Sequence, residues 1–388
     1  MAKQKDKNQK VSFKKTPTNN KMLGWKLISV YFVVTTVVCW VFVFGFTQQY
    51  FLPIVWSFNG EADNGVSSAP DTTDSIISVD KVDANERCLD GIKVAVEDVN
   101  PTPVAIMFDN IPPAWPQSGL EDASIVYEAL VEGGATRLMG VFVNGNAEKI
   151  GPIRSARPYF LEWVSEYDAL YGHVGGSPEA LAAIDGLGIN DFSQFFNGQF
   201  FWRDTSRYAP HNVYTSSELI QRALRDKDLV DNDYEYQTWE FKDDLPLEER
   251  TNKDERIEVH FSGGQTWVSE YVYKRETNSY EKFHAGRPHI DEESGNQLQT
   301  KNVVIVIVPE ISSYGEKGRI TLDISGEGKA FIFRDGQKIE GTWKKPDRIS
   351  RTLYYDEQGE EIPFNRGTTW ISIVPEDRDV IYQESDSN

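Results

Sequence analysis

The chain has 388 residues, a formal net charge of −20, 39% hydrophobic and 12% aromatic content, and two cysteines. So acidic a chain repels phosphate backbones, which argues against nucleic acid as a partner. Cys39 and Cys88 cannot supply a disulfide framework, because Cys39 sits in an apolar run, so stability has to come from a packed core.

Residues 1–26 form a basic tail with eight lysines against a single acid, Asp6. Residues 27–46 follow without one charge. At about 1.5 Å per residue this run covers the roughly 30 Å core of a bilayer, which predicts one transmembrane helix over 27–46. The lysines keep the tail in the cytoplasm and place everything after the helix outside the cell membrane. A cleaved signal peptide, or a lipoprotein signal with Cys39 as the acylated residue, begins in the same way. Val38 stands where a small residue is needed and the apolar run continues through 41–46, which favours a retained anchor. Residues 57–98 are rich in Asp, Glu, Asn, Ser and Thr, the composition of a flexible acidic linker.

In 101–231 apolar runs alternate with helix signals. A buried strand over 104–108 ends in Asp109 and Asn110, and another strand covers 137–143. Pro158 opens a helix to about 166, and 168–174 reads as a strand closed by Gly175 and Gly176. Ser177 is then an N-cap ahead of Pro178 and Glu179, and Thr215 with Glu218 has capping-box spacing. Glu128 and Glu132, four apart, read as acids on one helix face. The alternation predicts a layered α/β domain with a mixed sheet.

The pattern changes in 253–379. Runs at 259–261 and 267–274 around Gly263-Gly264 suggest a hairpin, with a further strand at 280–284. The wholly apolar 303–308 must be covered on both faces. Asp335-Gly336 is a hairpin turn, and 369–374 supplies a last strand before a tail, 380–388. A mainly antiparallel β domain is expected here.

The strings PVAIMFDN (103–110), WPQSGLEDASIVYEALVEGGATRLMGVF (115–142), IGPIRSARPYFLEWVSEYDALYGHVGGSPEAL (150–181) and FWRDTSRYAPHNVYTS (201–216) resemble the amino-terminal domain of the YerB-like family. AGRPHID (285–291), NVVIVIVPE (302–310) and GTTWISIVPED (367–377) resemble its carboxy-terminal domain. The resemblance implies a two-domain, exported, membrane-attached protein, and implies no activity. The chain departs from the lipoprotein members in lacking a well-placed lipid-acceptor cysteine.

Candidate chemistry gathers in the first domain, past strand ends and at helix starts. Asp109 and Asn110 end one strand and His173 another; Gly175, Gly176 and Ser177 offer backbone N–H groups to an anion. Arg154, Ser155 and Arg157 precede a helix, and Arg203, Asp204, Arg207, His211 and Asn212 crowd a later loop. Guanidinium groups in this number suit a carboxylate or phosphate ligand. Such arginines also tie loops together by pairing with acids, so a purely structural role stays open. Ser177 lacks the glycine two positions on that completes a nucleophile elbow, so a triad with His173 or His211 is poorly supported. The spacing of His284, His289 and Asp291 matches no zinc pattern, and no phosphate loop or dinucleotide fingerprint is present, so neither metal nor cofactor is expected. The sequence favours a membrane-anchored, extracytoplasmic accessory protein that binds an envelope anion, a carbohydrate or a membrane protein. The alternative is an envelope hydrolase or transferase using the same cleft.

Overall fold

A computed structural model describes residues 85–143, 145–230, 236–314 and 318–386. The basic tail, the apolar run 27–46 with Cys39, and the linker up to 84 lie outside the described residues. Among the described residues no helix is long and apolar enough to cross a membrane.

In the first half, β1 (Val104–Asp109), β2 (Ile125–Leu130), β3 (Thr136–Phe142), β4 (Leu170–His173) and β5 (Asn190–Ser193) are followed by a short ribbon, β6 (Trp202–Arg203) with β7 (Val213–Tyr214). Three helices join them: α1 (Pro158–Glu166), α2 (Pro178–Leu187) and α3 (Ser217–Asp226). Ser177 caps α2 by accepting from Ala180 N at 3.2 Å, as its sequence context predicts. At α3 the cap is Ser216, which accepts from Leu219 N. Thr215, the expected cap, instead donates to the Phe200 carbonyl from a fully buried site.

The second half supplies β8 (Lys253–His260), β9 (Val268–Lys274), β10 (Ser279–His284), β11 (Asn302–Val308), β12 (Gly326–Arg334), β13 (Gln337–Lys345), β14 (Leu353–Tyr355), β15 (Thr369–Pro375) and β16 (Val380–Asp386). The two halves are joined by one sheet of ten strands in the order β14-β13-β12-β11-β15-β2-β3-β1-β4-β5. It is mixed: β15 runs parallel to both β11 and β2, and β1, β4 and β5 are mutually parallel. The remaining contacts are antiparallel. A second sheet, antiparallel and built around β10-β9-β8-β16, belongs wholly to the second half.

The apolar runs of the central strands follow from this layering. Val304 and Val306 of β11, with Ala105 and Met107 of β1, face a core shared with Phe160 and Trp163 of α1. Their neighbours Val303, Ile305, Ile106 and Phe108 face the opposite core, shared with α3 and with Val259 and Tyr271 of the second sheet. A strand buried on both faces has no polar side to alternate with.

Three further expectations are corrected. The linker does not extend to 98: Leu89 is fully buried, and Asp90 accepts from Arg87 Nε at 2.8 Å and from Ser124 Oγ at 2.6 Å, so the segment from 85 belongs to the body. The expected tail contains a strand, because β16 pairs in register with β8 and seats Val380 and Tyr382 against the core. Glu128 and Glu132 do not share a helix face; Glu128 lies within β2 and Glu132 in the turn after it.

Candidate functional site

β1 and β4 are parallel neighbours, so Asp109 and His173 emerge at the same edge of the sheet. Asp109 is 1% exposed, and its Oδ2 meets two side chains. His211 Nδ1 lies 2.5 Å away in a hydrogen bond, and Arg154 Nε lies at 2.9 Å as an ion pair outside hydrogen-bonding geometry. Directly across the β1–β3 ladder stands Arg137. It is buried and donates from Nη1 to the Ser155 carbonyl at 2.7 Å, while its Nε has no hydrogen-bond partner. Burial, and then the neighbouring Arg157 charge, push the Arg137 pKa down to about 10.

Arg157 is held by Glu132, which accepts from both Nε and Nη2, and it also donates to its neighbour's carbonyl. Burial works against the Glu132 charge, but the Arg157 guanidinium overrides it and keeps that carboxyl down at about 2. Arg137, Arg154 and Arg157 thus meet Asp109 and Glu132, three guanidinium groups against two carboxylates.

The turn after β4 is fully engaged. His173 is buried, with Nδ1 2.8 Å from the Gly175 carbonyl and Nε2 2.8 Å from Asp191 Oδ1. Gly175 holds φ at +63°, in the left-handed region that favours glycine. Ser155 Oγ donates to the Val174 carbonyl, and Gly176 bridges to Ala156. The Ser177 N–H donates to the Ala156 carbonyl while its Oγ caps α2, so Ser177 does not present the open amide expected for an anion.

The loop between β6 and β7 closes a second side. Arg203 donates to Asn212 Oδ1 at 2.8 Å; Asp204 accepts from Ser206 N and pairs with Lys149 at 2.9 Å. The Ser206 hydrogen bonds, then Lys149, hold the Asp204 carboxyl well below the usual range. Arg207 reaches Glu292 at 2.9 Å, pinning this loop to the second half. Asp109, Arg154 and His211 therefore converge; Arg157, His173 and Ser177 line the adjoining turn; Arg203 and Asp204 belong to the loop that carries His211. Asn110 points elsewhere.

Asn110 enters a buried cluster between the two sheets. It donates to Thr136 Oγ1 at 2.7 Å and accepts from Trp115 and Gln117. Glu128, fully buried, accepts from Thr136 Oγ1 at 3.0 Å and Ser269 Oγ at 2.7 Å, with Lys282 Nζ at 3.7 Å. Burial lowers the Lys282 pKa to about 8 and the His284 pKa to about 4, and drives His289 well below the usual range. No group of His, Cys, Asp and Glu among the described residues is arranged to hold a metal ion.

Two family models match this chain, "Protein of unknown function (DUF3048) N-terminal domain" over 89–230 and the corresponding C-terminal domain over 257–371. The "Putative lipoprotein YerB" of Bacillus subtilis (strain 168) is 33% identical over 297 residues, 74% of this chain and 86% of that protein. The chain belongs to the YerB-like family. The crystal structure of the YerB protein from Bacillus subtilis matches with a TM-score of 0.68 at 31% identity, covering 77% of this chain and 99% of the other. Both matched family models describe proteins of unknown function.

Arg137 is the site residue that sequence reasoning missed. A charge at the head of an otherwise apolar strand was its only signal, and its relation to Asp109 exists only through strand register.

Proposed function

We propose that this chain is a membrane-attached, extracytoplasmic binding protein whose ligand is an anion held at the strand-end site by Arg137, Arg154 and His211. The carrying observation is the excess of buried or half-buried guanidinium over carboxylate there, with Arg137 Nε left without a hydrogen-bond partner. A buried donor with no partner costs on the order of 1–3 kcal/mol, and an anionic oxygen would recover it. Attachment outside the cytoplasm rests on the lysine-rich tail ahead of the uncharged run 27–46, and on the relative's description as a lipoprotein.

The test is calorimetric titration of the full chain, in detergent, with inorganic phosphate and with a dicarboxylate. Binding that is lost in Arg154→Ala supports the reading, and no binding, or equal binding by the variant, ends it. One observation favours a second reading. The buried Asp109 carboxylate orients the half-buried His211 ring as an acid–base pair would be oriented, which suits a hydrolase or transferase. Turnover of cell-wall fragments that disappears in His211→Ala would establish it.

A further inference from the structure

All four exposed aromatic side chains of the described residues fall between positions 195 and 208: Phe195 is 68% exposed, Phe196 84%, Trp202 36% and Tyr208 91%. Exposed apolar groups scattered singly need no explanation, but a gathering of aromatics beside a charged site does.

Their exposure is built in. The turn carrying Phe195 and Phe196 is fixed by three hydrogen bonds onto the Ser193 carbonyl, from Phe196 N, Asn197 N and Asn197 Nδ2. Trp202 is braced by stacking on Tyr214, with ring centroids 6.2 Å apart and planes 27° from parallel. Two of the four residues connect to the strand-end site, Phe195 through its ring and Tyr208 through its backbone. Phe195 lies against Gly175, where an added Cβ would come within 3.2 Å of its ring, and the Gly175 carbonyl receives His173 Nδ1 and Ala156 N. Tyr208 accepts through its carbonyl from the His211 N–H at 3.0 Å.

We propose that the anion bound at this site is the acid group of a glycan, whose sugar rings extend over the Phe195–Phe196 turn, Trp202 and Tyr208. This rests on the anion reading above and adds the ligand class. The C–H face of a pyranose ring is apolar and flat, and rigid aromatic rings cover such a face at little entropic cost. Its hydroxyls need acceptors, and partly exposed carboxylates accompany two elements of the site: Asp191 stands against His173, and Asp204 lies on the loop that carries His211. Those acids, on a chain of net charge −20, disfavour an anionic lipid surface as the occupant.

The full chain, reconstituted in phosphatidylcholine nanodiscs, would be titrated with four probes. These are a tetrasaccharide alternating N-acetylglucosamine with glucuronate, neutral chitotetraose, inorganic phosphate, and phosphatidylglycerol vesicles. The expected result is that the acidic tetrasaccharide binds at least about tenfold more tightly than the neutral one, and that Phe196→Ala and Tyr208→Ala each weaken it about tenfold while leaving phosphate binding unchanged. Both aromatics are solvent-exposed, so their removal leaves the fold intact. Phosphate binding without oligosaccharide binding overturns the glycan proposal and spares the anion reading. Binding of neither probe overturns both. Oligosaccharide affinity indifferent to the two aromatic variants, or aromatic-dependent capture of the vesicles instead, also overturns the glycan.

Discussion

The strand-end cluster around Asp109 and the cluster around Glu128 use the same kinds of side chain for opposite purposes. Glu128 and Lys282 are 0% and 1% exposed at the side chain, and hydroxyls from β3 and β9 fill the acceptor sites of the carboxylate. That cluster balances its charge and closes the space between the two sheets. At the strand end the side chains of Arg154 and His211 remain 23% and 17% exposed, and cations outnumber acids. Buried charge in balance reads as a lock; half-buried charge out of balance reads as a seat for something else.

The comparison breaks most readily at the lock. Lys282→Met strands the Glu128 charge and is expected to destabilise the protein by about 3–5 kcal/mol in urea unfolding, whereas combining it with Glu128→Gln should recover most of the loss. A loss below about 1 kcal/mol would mean the pair is not the lock it resembles.

Acid should open the same cluster next. His284 titrates near 4 in the folded protein against an ordinary 6.5, so the unfolded chain takes up its proton first. The stabilisation is complete above about pH 6.5 and drains away as pH falls towards 4, on the order of 3 kcal/mol in all. Glu132 and Asp335, both held at about 2, extend the decline below pH 4.5. Thermal melts between pH 7 and pH 4 check the sign, and stability that rises on acidification would contradict it.

At the seat, effects on stability should be small and effects on binding large. Arg154→Ala is expected to change unfolding free energy by about 1 kcal/mol, since its ion pair is partly solvated and His211 still serves Asp109. Its anion affinity should fall well beyond that. Phe196→Ala should be the mildest change, within about 0.5 kcal/mol in stability, and a larger loss would show that the turn is packed rather than presented.

Much of this arrangement was legible in advance where the cause is local. Pro158, Ser177 and the Asp335-Gly336 turn act through their own backbone geometry, and the elements they start or join lie where their residue types demand. Glu128 misled because an i,i+4 acid pair is a helix signal only when both side chains are solvated. Ser269 and Lys282, supplied from the second sheet, are what let a carboxylate sit inside a strand. Arg137 was invisible for a similar reason: its counterpart Asp109 meets it through the β1–β3 register, a relation with no sequence spacing of its own. Strand-end logic put eight residues in one cleft; three of them, Asp109, Arg154 and His211, meet at one carboxylate, whereas Arg157 is tied to Glu132, Arg203 to Asn212 and His173 to Asp191, and the Ser177 amide is taken by Ala156.

The position of β15 has a consequence for how the protein is made. It begins at Thr369, far downstream of β2, yet it is the strand that joins β2 to β11. A chain emerging from the ribosome amino end first leaves both of those Ile- and Val-bearing edges unpaired until Thr369–Pro375 has been made, and such edges recruit other chains into aggregates. Closure by so distant a strand is intrinsically slow. Shielding of the nascent polypeptide until β15 has been made is therefore expected from this topology, and a frameshift or nonsense codon ahead of Thr369 should yield insoluble material rather than a shortened working protein.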